Sequence, residues 1–416
     1  MISRFNFNIT FLSNFFNIFK LLSFSNNNKI HQDLNYHLSK SYKNSSFYFF
    51  NYGRTAFYEM LLYIKSRSKK RKIIINSLTL FEIVNVIIYA GFEPIFIDTE
   101  KNSFNTNIKL DVSEINLKEV AAVVITHLNG ANSDVINIKN KLNNYNKTND
   151  KIYLIEDCAV SFGAKIQQKN VGTFGDFSFL SFNIMKNITC YTGGVLIDND
   201  KALSNYNINH YNYPSVYNVI KKIIFVMVIQ FLNSKIIFPL FFSFIKLSHK
   251  YSFKSFLAIY RSDFVITLKK NFPNRFKYLM HPFQKKILNE QFKHLENNRS
   301  LRCDKAKVYH EGLKDNKYLK FPQNEFNDKN IFLDFPIICS SEKTKNQLFD
   351  YFLKKGIDVK NYYYRSCSIY PIYNFNNTPC LNSNEIAKNI IMLPLNNQIT
   401  SDYQKQIINE INIFLS

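Results

Sequence analysis

Between residues 50 and 200 the apolar positions fall in short runs separated by stretches of helical spacing. The runs Ile73–Asn76, Pro94–Asp98, Ala121–Thr126, Ile152–Glu156, Phe177–Phe182 and Val195–Ile197 predict strands. Several of the segments between them are long enough for crossover helices. That alternation predicts an α/β fold, a mainly parallel central sheet with helices on both faces. Ligands of such sheets bind beyond the carboxyl ends of the strands, so the residues that follow each run are the candidates for chemistry.

The flanks carry other patterns. Leu12, Phe15, Phe16, Phe19 and Leu22 recur at helical spacing, which predicts a helix within 11–24 that either docks on the core or lies on a membrane surface. Residues 219–247 hold two apolar blocks, Ile223–Ile229 and Ile236–Ile245, around a polar Asn233-Ser234-Lys235. A single membrane span would bury Lys235 near its middle, at high cost. Two readings remain: a helical pair lying in the plane of an anionic membrane, or a pair buried within the protein or at a dimer interface. After about residue 282 the spacing predicts one long amphipathic helix, Gln284 to Leu313. A small α+β region follows: a strand in FLDFPIIC, a helix near Thr344–Lys355, the segment GIDVKNYYY and a closing helix over Asp402–Leu415.

Composition narrows the classes. The chain of 416 residues is 46% hydrophobic with 10 Gly and 10 Pro, which excludes wholesale disorder and collagen-like repeats. No apolar run reaches the length of an ordinary membrane span. The formal net charge is +22. Residues 218–281 contribute much of it, with eleven Lys/Arg against one acid, Asp263. Nucleic-acid binding is the obvious reading of such a charge, but no zinc-finger spacing or RNA-binding aromatic motif supports it, and none is expected. The six cysteines form no CxxC pair, so neither a metal site nor a disulfide framework is expected, and a reducing, cytoplasmic setting is the simplest reading.

Four segments carry candidate chemistry. Gly53-Arg54-Thr55 opens a helical stretch, where amide N–H groups suit a phosphate. Glu156-Asp157 ends a strand, and an acid there can hold a ring nitrogen protonated. Ser181 has the chemistry of a phosphate ligand. Lys186 follows it in an apolar neighbourhood, where a lowered pKa lets an amine condense with a carbonyl. Gly193-Gly194 then permits a tight return.

Together these segments resemble the DegT/StrS-type (DegT/DnrJ/EryC/StrS) sugar aminotransferases. SFNIMKNITCYTGGVLIDND is similar to the family's lysine segment. NYGRTAFYEML resembles its phosphate helix, GFEPIFIDTEKNSFNTN and VVITHLNGANSDV two of its strands with their loops, and IEDCAVSFGAK its cofactor-acid segment. MHPFQKKILNEQFKHLENNRSLRCDKAKVY resembles its helix into the small domain. The resemblance spans about 50–215 and 280–416. It implies the aspartate-aminotransferase-like fold (fold type I) and pyridoxal 5′-phosphate as cofactor. Lys186 would carry the cofactor and shuttle protons, and Asp157 would hold the pyridinium proton. Ser181 would bind the phosphate, with Gly53 and the amides of Arg54 and Thr55. The implied reaction moves an amino group from an amino acid, usually glutamate, to a keto sugar, usually nucleotide-linked, in surface-glycan synthesis by a cytoplasmic homodimer. Lysine at 186 disfavours the dehydratase branch, which carries histidine there.

Some positions depart from the family. Val160 stands for a Gln or His, Leu80 for an aromatic that Phe81 could supply, and Thr192 for the Glu of Gly-Glu-Gly-Gly. The Asn-x-Arg-Met pattern before His281 is missing, with Lys277 near the Asn position. The alternative reading is therefore a catalytically degenerate member that binds or regulates. The expected division is a helical N-terminal segment (1–49) and a large cofactor domain (50–216 with 278–299). A basic apolar insertion (217–277) with possible peripheral membrane contact and a small C-terminal domain (300–416) complete it.

Overall fold

Short apolar runs, rich in Ile, Val and Ala at the centre and in Phe towards one edge, build a seven-stranded sheet. In spatial order its strands are Ser46–Phe50, Gly194–Asp198, Phe177–Ser181, Tyr153–Asp157, Val120–Thr126, Lys72–Asn76 and Glu93–Ile97. The last five pair in parallel, and Gly194–Asp198 runs antiparallel to both of its neighbours. All seven residues of Val120–Thr126 are buried, as a parallel strand covered on both faces requires. The computed structural model describes the chain apart from residues 6, 25–27, 107–115, 129, 131–133, 209–210, 252–265, 323–329, 362–364 and 374–378. The end of the insertion (252–265) and residues 362–364 of GIDVKNYYY lie outside the described residues.

The expected strands are present with shifts of one residue at their ends. The edge strand Ser46–Phe50 was not legible, and it takes the expected N-terminal segment into the large sheet. Helix Gly53–Arg67 packs across the sheet and buries residues on nearly every side, including Phe57, Met60, Leu61 and Ile64.

The small domain is a three-stranded antiparallel sheet, Leu319–Lys320, Asp334–Cys339 and Ile390–Pro394, backed by helices Glu342–Lys355 and Ser401–Leu415. Several contacts among the described residues tie it to the large domain. Arg365–Ser366 pairs with Leu78–Thr79, and Asp98, just past a large-sheet strand, accepts the N–H groups of Asn382 and Ser383 at the start of helix Leu381–Asn389.

The single long helix expected over 284–313 is two. Pro282–Gln291 and Leu295–Leu313 are separated by a 3-10 turn, Phe292–His294. Phe292 stacks on His37 and meets Phe162 edge-on, so ring packing at the junction offsets the lost continuity of the helix.

The insertion forms helices Val216–Leu232 and Phe238–Lys250. Val219, Ile223 and Val226 join the large-domain core, and Phe238, Phe242 and Ile245 join the small-domain core. Each helix thus buries one stripe in the protein and leaves another exposed. No helix among the described residues is long and apolar enough to cross a membrane.

Candidate active site

Helix Gly53–Arg67 begins against the end of strand Phe177–Ser181. A Cβ on Gly53 would lie 3.0 Å from the Leu180 carbonyl and 3.3 Å from Ser181 Cβ, so glycine is what allows the helix start to come this close. An α-helix leaves its first amides without intrahelical acceptors and carries positive potential there. Helix start and Ser181 hydroxyl together make an anion cup.

The residues named for that cup divide. The Thr55 hydroxyl donates to the Phe276 carbonyl at 2.8 Å, and its N–H donates to the Tyr52 carbonyl at 3.1 Å, so Thr55 is occupied in holding the loop. The Arg54 guanidinium pairs with Glu82 at 3.0 Å and lies over the Phe276 ring. Segment 274–280, with Lys277, runs beside this cup. Asn51 N–H donates to the Tyr278 carbonyl at 2.9 Å.

The two carboxylates of Glu156-Asp157 have different fates. Glu156 is fully buried and accepts from the N–H groups of Gly172, Phe174 and Gly175 at 2.6–2.7 Å, and it bonds His127 Nε2 at 2.9 Å. Cys158 lies in the same cluster, but the Glu156 oxygens are committed to these partners. Glu156 therefore acts as a structural knot, and His127 with it.

Asp157, the last residue of its strand, keeps Oδ1 for the Ala159 N–H at 3.0 Å. Burial raises its carboxyl to about 6, against the opposing pull of the Ala159 N–H, Lys186 and His127. The cost of burying the charged form outweighs the pull of the positive groups within reach.

Lys186 supplies an amine within electrostatic reach. Burial lowers its ammonium to about 8. Asp157 and Asp334 oppose that shift, and Lys360 and Arg54 add to it. Lys186 lines a pocket with Ala159, Val160, Ser181, Asn187 and Leu333. The buried Asn187 Oδ1 has no protein partner among the described residues. A cup that a Cβ would narrow, an unpartnered buried acceptor, a buried carboxyl and a half-buried amine of lowered pKa together fit a phosphorylated aldehyde with a protonated ring nitrogen.

Sequence reading missed several contributors. Lys360 and Asp334, paired at 2.5 Å, come from the small domain more than a hundred residues downstream. Asn8 donates to the carbonyls of Lys186 and Asn187, and Asn298 to that of Asn187, so the N-terminal segment and helix Leu295–Leu313 both fix the lysine segment. No local pattern signals such contacts.

The departures also have places. The Thr192 hydroxyl donates to Asn51 Oδ1 and accepts from Gln284 Nε2 at 2.7 Å. Val160 forms part of the pocket wall. Leu80 sits half exposed at the start of helix Phe81–Tyr89, and Phe81 is partly buried.

The profile of the DegT/DnrJ/EryC1/StrS aminotransferase family matches residues 51–216 and 266–412. GDP-perosamine synthase of Escherichia coli O157:H7 is 35% identical over 136 residues, 33% of this chain and 36% of that enzyme. The matching segment thus spans about a third of that curated relative. PseC of Helicobacter pylori, an aminotransferase of pseudoaminic acid biosynthesis, superposes with a TM-score of 0.70 at 17% identity, covering 100% of this chain and 99% of its own. A candidate sugar aminotransferase from Streptococcus pneumoniae in its PLP form gives 0.72 at 14% identity, covering 99% and 97%. These likenesses bear out the fold.

Proposed function

This chain belongs to the DegT/DnrJ/EryC1/StrS aminotransferase family, and we propose that it uses pyridoxal 5′-phosphate at Lys186 to move an amino group from an amino acid to a keto sugar. The observation that carries this reading is the half-buried Lys186, its ammonium lowered by burial, within electrostatic reach of the buried Asp157 and beside the cup at Gly53 and Ser181.

When bound, the cofactor supplies an electron sink for the charge that develops at the substrate carbon. The chain does the rest. Ser181 and the amides of Gly53 and Arg54 hold the phosphate. The charge of Arg54 adds to their field. Asp157 holds the proton on the ring nitrogen, and that cation relieves the cost of its own burial. Lys186 Nζ, freed of its proton more easily than an exposed lysine, takes and returns a proton at the substrate carbon. Val160, Phe162 and Ile188 keep water from the lysine.

Glutamate as donor, a nucleotide-linked sugar as acceptor and a role in surface glycan synthesis are the finer parts of the proposal. The family's usual chemistry and the names of its relatives support them. A homodimer is proposed on the same ground. The exposed stripes of 219–247 support peripheral contact with the inner membrane face. The lysine–aspartate–serine core is intact, and Thr192 is absorbed into a hydrogen-bonded network, so the degenerate alternative gains no support from its clearest departure.

The test is the absorbance of the purified protein with added pyridoxal phosphate, wild type beside Lys186→Ala, before and after glutamate. A yellow band that requires Lys186 and bleaches with glutamate supports the reading. A band independent of Lys186 sinks it.

A further inference from the structure

Helix Phe11–Leu22 is built inside out. Its buried residues are Asn14, Asn17 and Leu21, while Phe11, Phe15, Phe16 and Phe19 are each 45–55% exposed. Water normally selects the opposite arrangement. Hydrogen bonds specify the inversion. Asn14 Nδ2 donates to Gln230 Oε1 and Tyr191 OH donates to Asn14 Oδ1, both at 2.7 Å, and Asn17 Nδ2 donates to Tyr191 OH at 2.8 Å. Gln230 Nε2 in turn donates to the Ile9 carbonyl at 2.7 Å. The polar seam therefore locks this helix beside Val216–Leu232 with its aromatic side outward. The neighbouring helix also turns Phe225, Val228 and Phe231 outward, each at least half exposed, and Ile236 at the following corner is 87% exposed.

We propose that Phe11–Leu22 and Val216–Leu232 together form one face that docks in the plane of an anionic lipid bilayer. This extends, and rests on, the contact proposed for 219–247. Charge selects the bilayer as occupant. Residues 1–32 and 216–251 contain no Asp or Glu, while Lys20, Lys221 and Lys222 are exposed on the two helices and Lys235 is exposed at the following corner. Such a face meets anionic headgroups favourably, whereas two copies meeting face to face would bring like charges together. The helices lie in the plane rather than cross, because 17 residues span only about 26 Å. Docking would also sit one hydrogen bond from the lysine segment, through Tyr191.

Flotation of the full-length protein with vesicles tests this. One set is phosphatidylcholine alone, and the other contains phosphatidylglycerol. Variants are Phe16→Ser/Phe19→Ser, Phe225→Ser/Phe231→Ser and, as a control on an exposed side chain elsewhere, Ile413→Ser, each checked for wild-type melting. The expected result is binding to the anionic vesicles that weakens in high salt, drops about tenfold or more for either Phe pair and is unchanged for Ile413→Ser. Loss with the 225/231 pair alone would overturn the role of Phe11–Leu22 and leave the contact at 219–247 standing. No binding by wild type, or equal binding to both vesicle types, would overturn the assignment to an anionic bilayer. So would a dimer that the Phe16→Ser/Phe19→Ser variant breaks, because a second copy would then cover the face.

Discussion

Gly194 faces the Tyr52 carbonyl so closely that a Cβ at 194 would lie 2.3 Å from its carbon and oxygen and 2.3 Å from Gly53 N. The first residue of an antiparallel strand thus sets where the helix of the anion cup begins. Real Cβ atoms do not approach backbone at that distance, so Gly194→Ala must push Tyr52 and Gly53 aside. We expect pyridoxal phosphate affinity to fall at least about tenfold in spectroscopic titration, with a lower melting temperature. Gly53→Ala, with its nearest contact at 3.0 Å, should show the milder form of the same defect.

Asp157 gives a pH signature. Its carboxyl is raised by burial to about 6, so the folded protein holds a proton there that the unfolded chain releases near 3.8. The stability tied to that proton is present at low pH and is lost as pH rises through about 6. A shift of this size corresponds to about 3 kcal/mol. Asp157→Asn removes the penalty and can still accept the Ala159 N–H. The cofactor-free variant should therefore melt a few degrees above wild type at pH 7.5, with the gain shrinking towards pH 4.5. With pyridoxal phosphate the order should reverse at pH 7.5, since the ring nitrogen loses its counter-charge. Melting curves at both pH values, with and without cofactor, check the sign.

Lys186 gives a second one. With its ammonium lowered by burial to about 8, the fraction of free amine rises steeply between pH 7 and 9. The rate at which the yellow band forms on adding pyridoxal phosphate should rise over that interval and level off above it. Lys186→Arg keeps the charge but cannot condense, and should show no band. A rate independent of pH would contradict the assignment.

Thr192 anchors a buried three-way contact with Asn51 and Gln284. Thr192→Val keeps the shape and leaves the Asn51 acceptor and a Gln284 donor without that partner. A loss of about 1–3 kcal/mol is expected in chemical denaturation. Thr192→Ser retains the hydroxyl and should recover most of it.

The sequence determined much of this protein on its own. Apolar runs without a polar face have few places to go except a covered parallel sheet, so the five parallel strands were legible to within a residue. Ser181 and Lys186 lie at or just past the end of one of these strands, and chain order alone put them on the ligand-binding edge; Gly53 follows the antiparallel edge strand Ser46–Phe50, which the pattern did not reveal. What the sequence left open is what depends on partners distant along the chain. Glu156 and Asp157 are equivalent as neighbours in a string; only the fold gives one of them three backbone donors and a histidine and leaves the other for the site. Lys360 and Asp334 enter from a domain whose position no local pattern encodes. Periodicity located helix Phe11–Leu22 but did not decide which face it buries. That choice belongs to Tyr191 and Gln230, because a hydrophobic stripe records only that some apolar surface will cover it, while the hydrogen bonds on the opposite side decide which way it points.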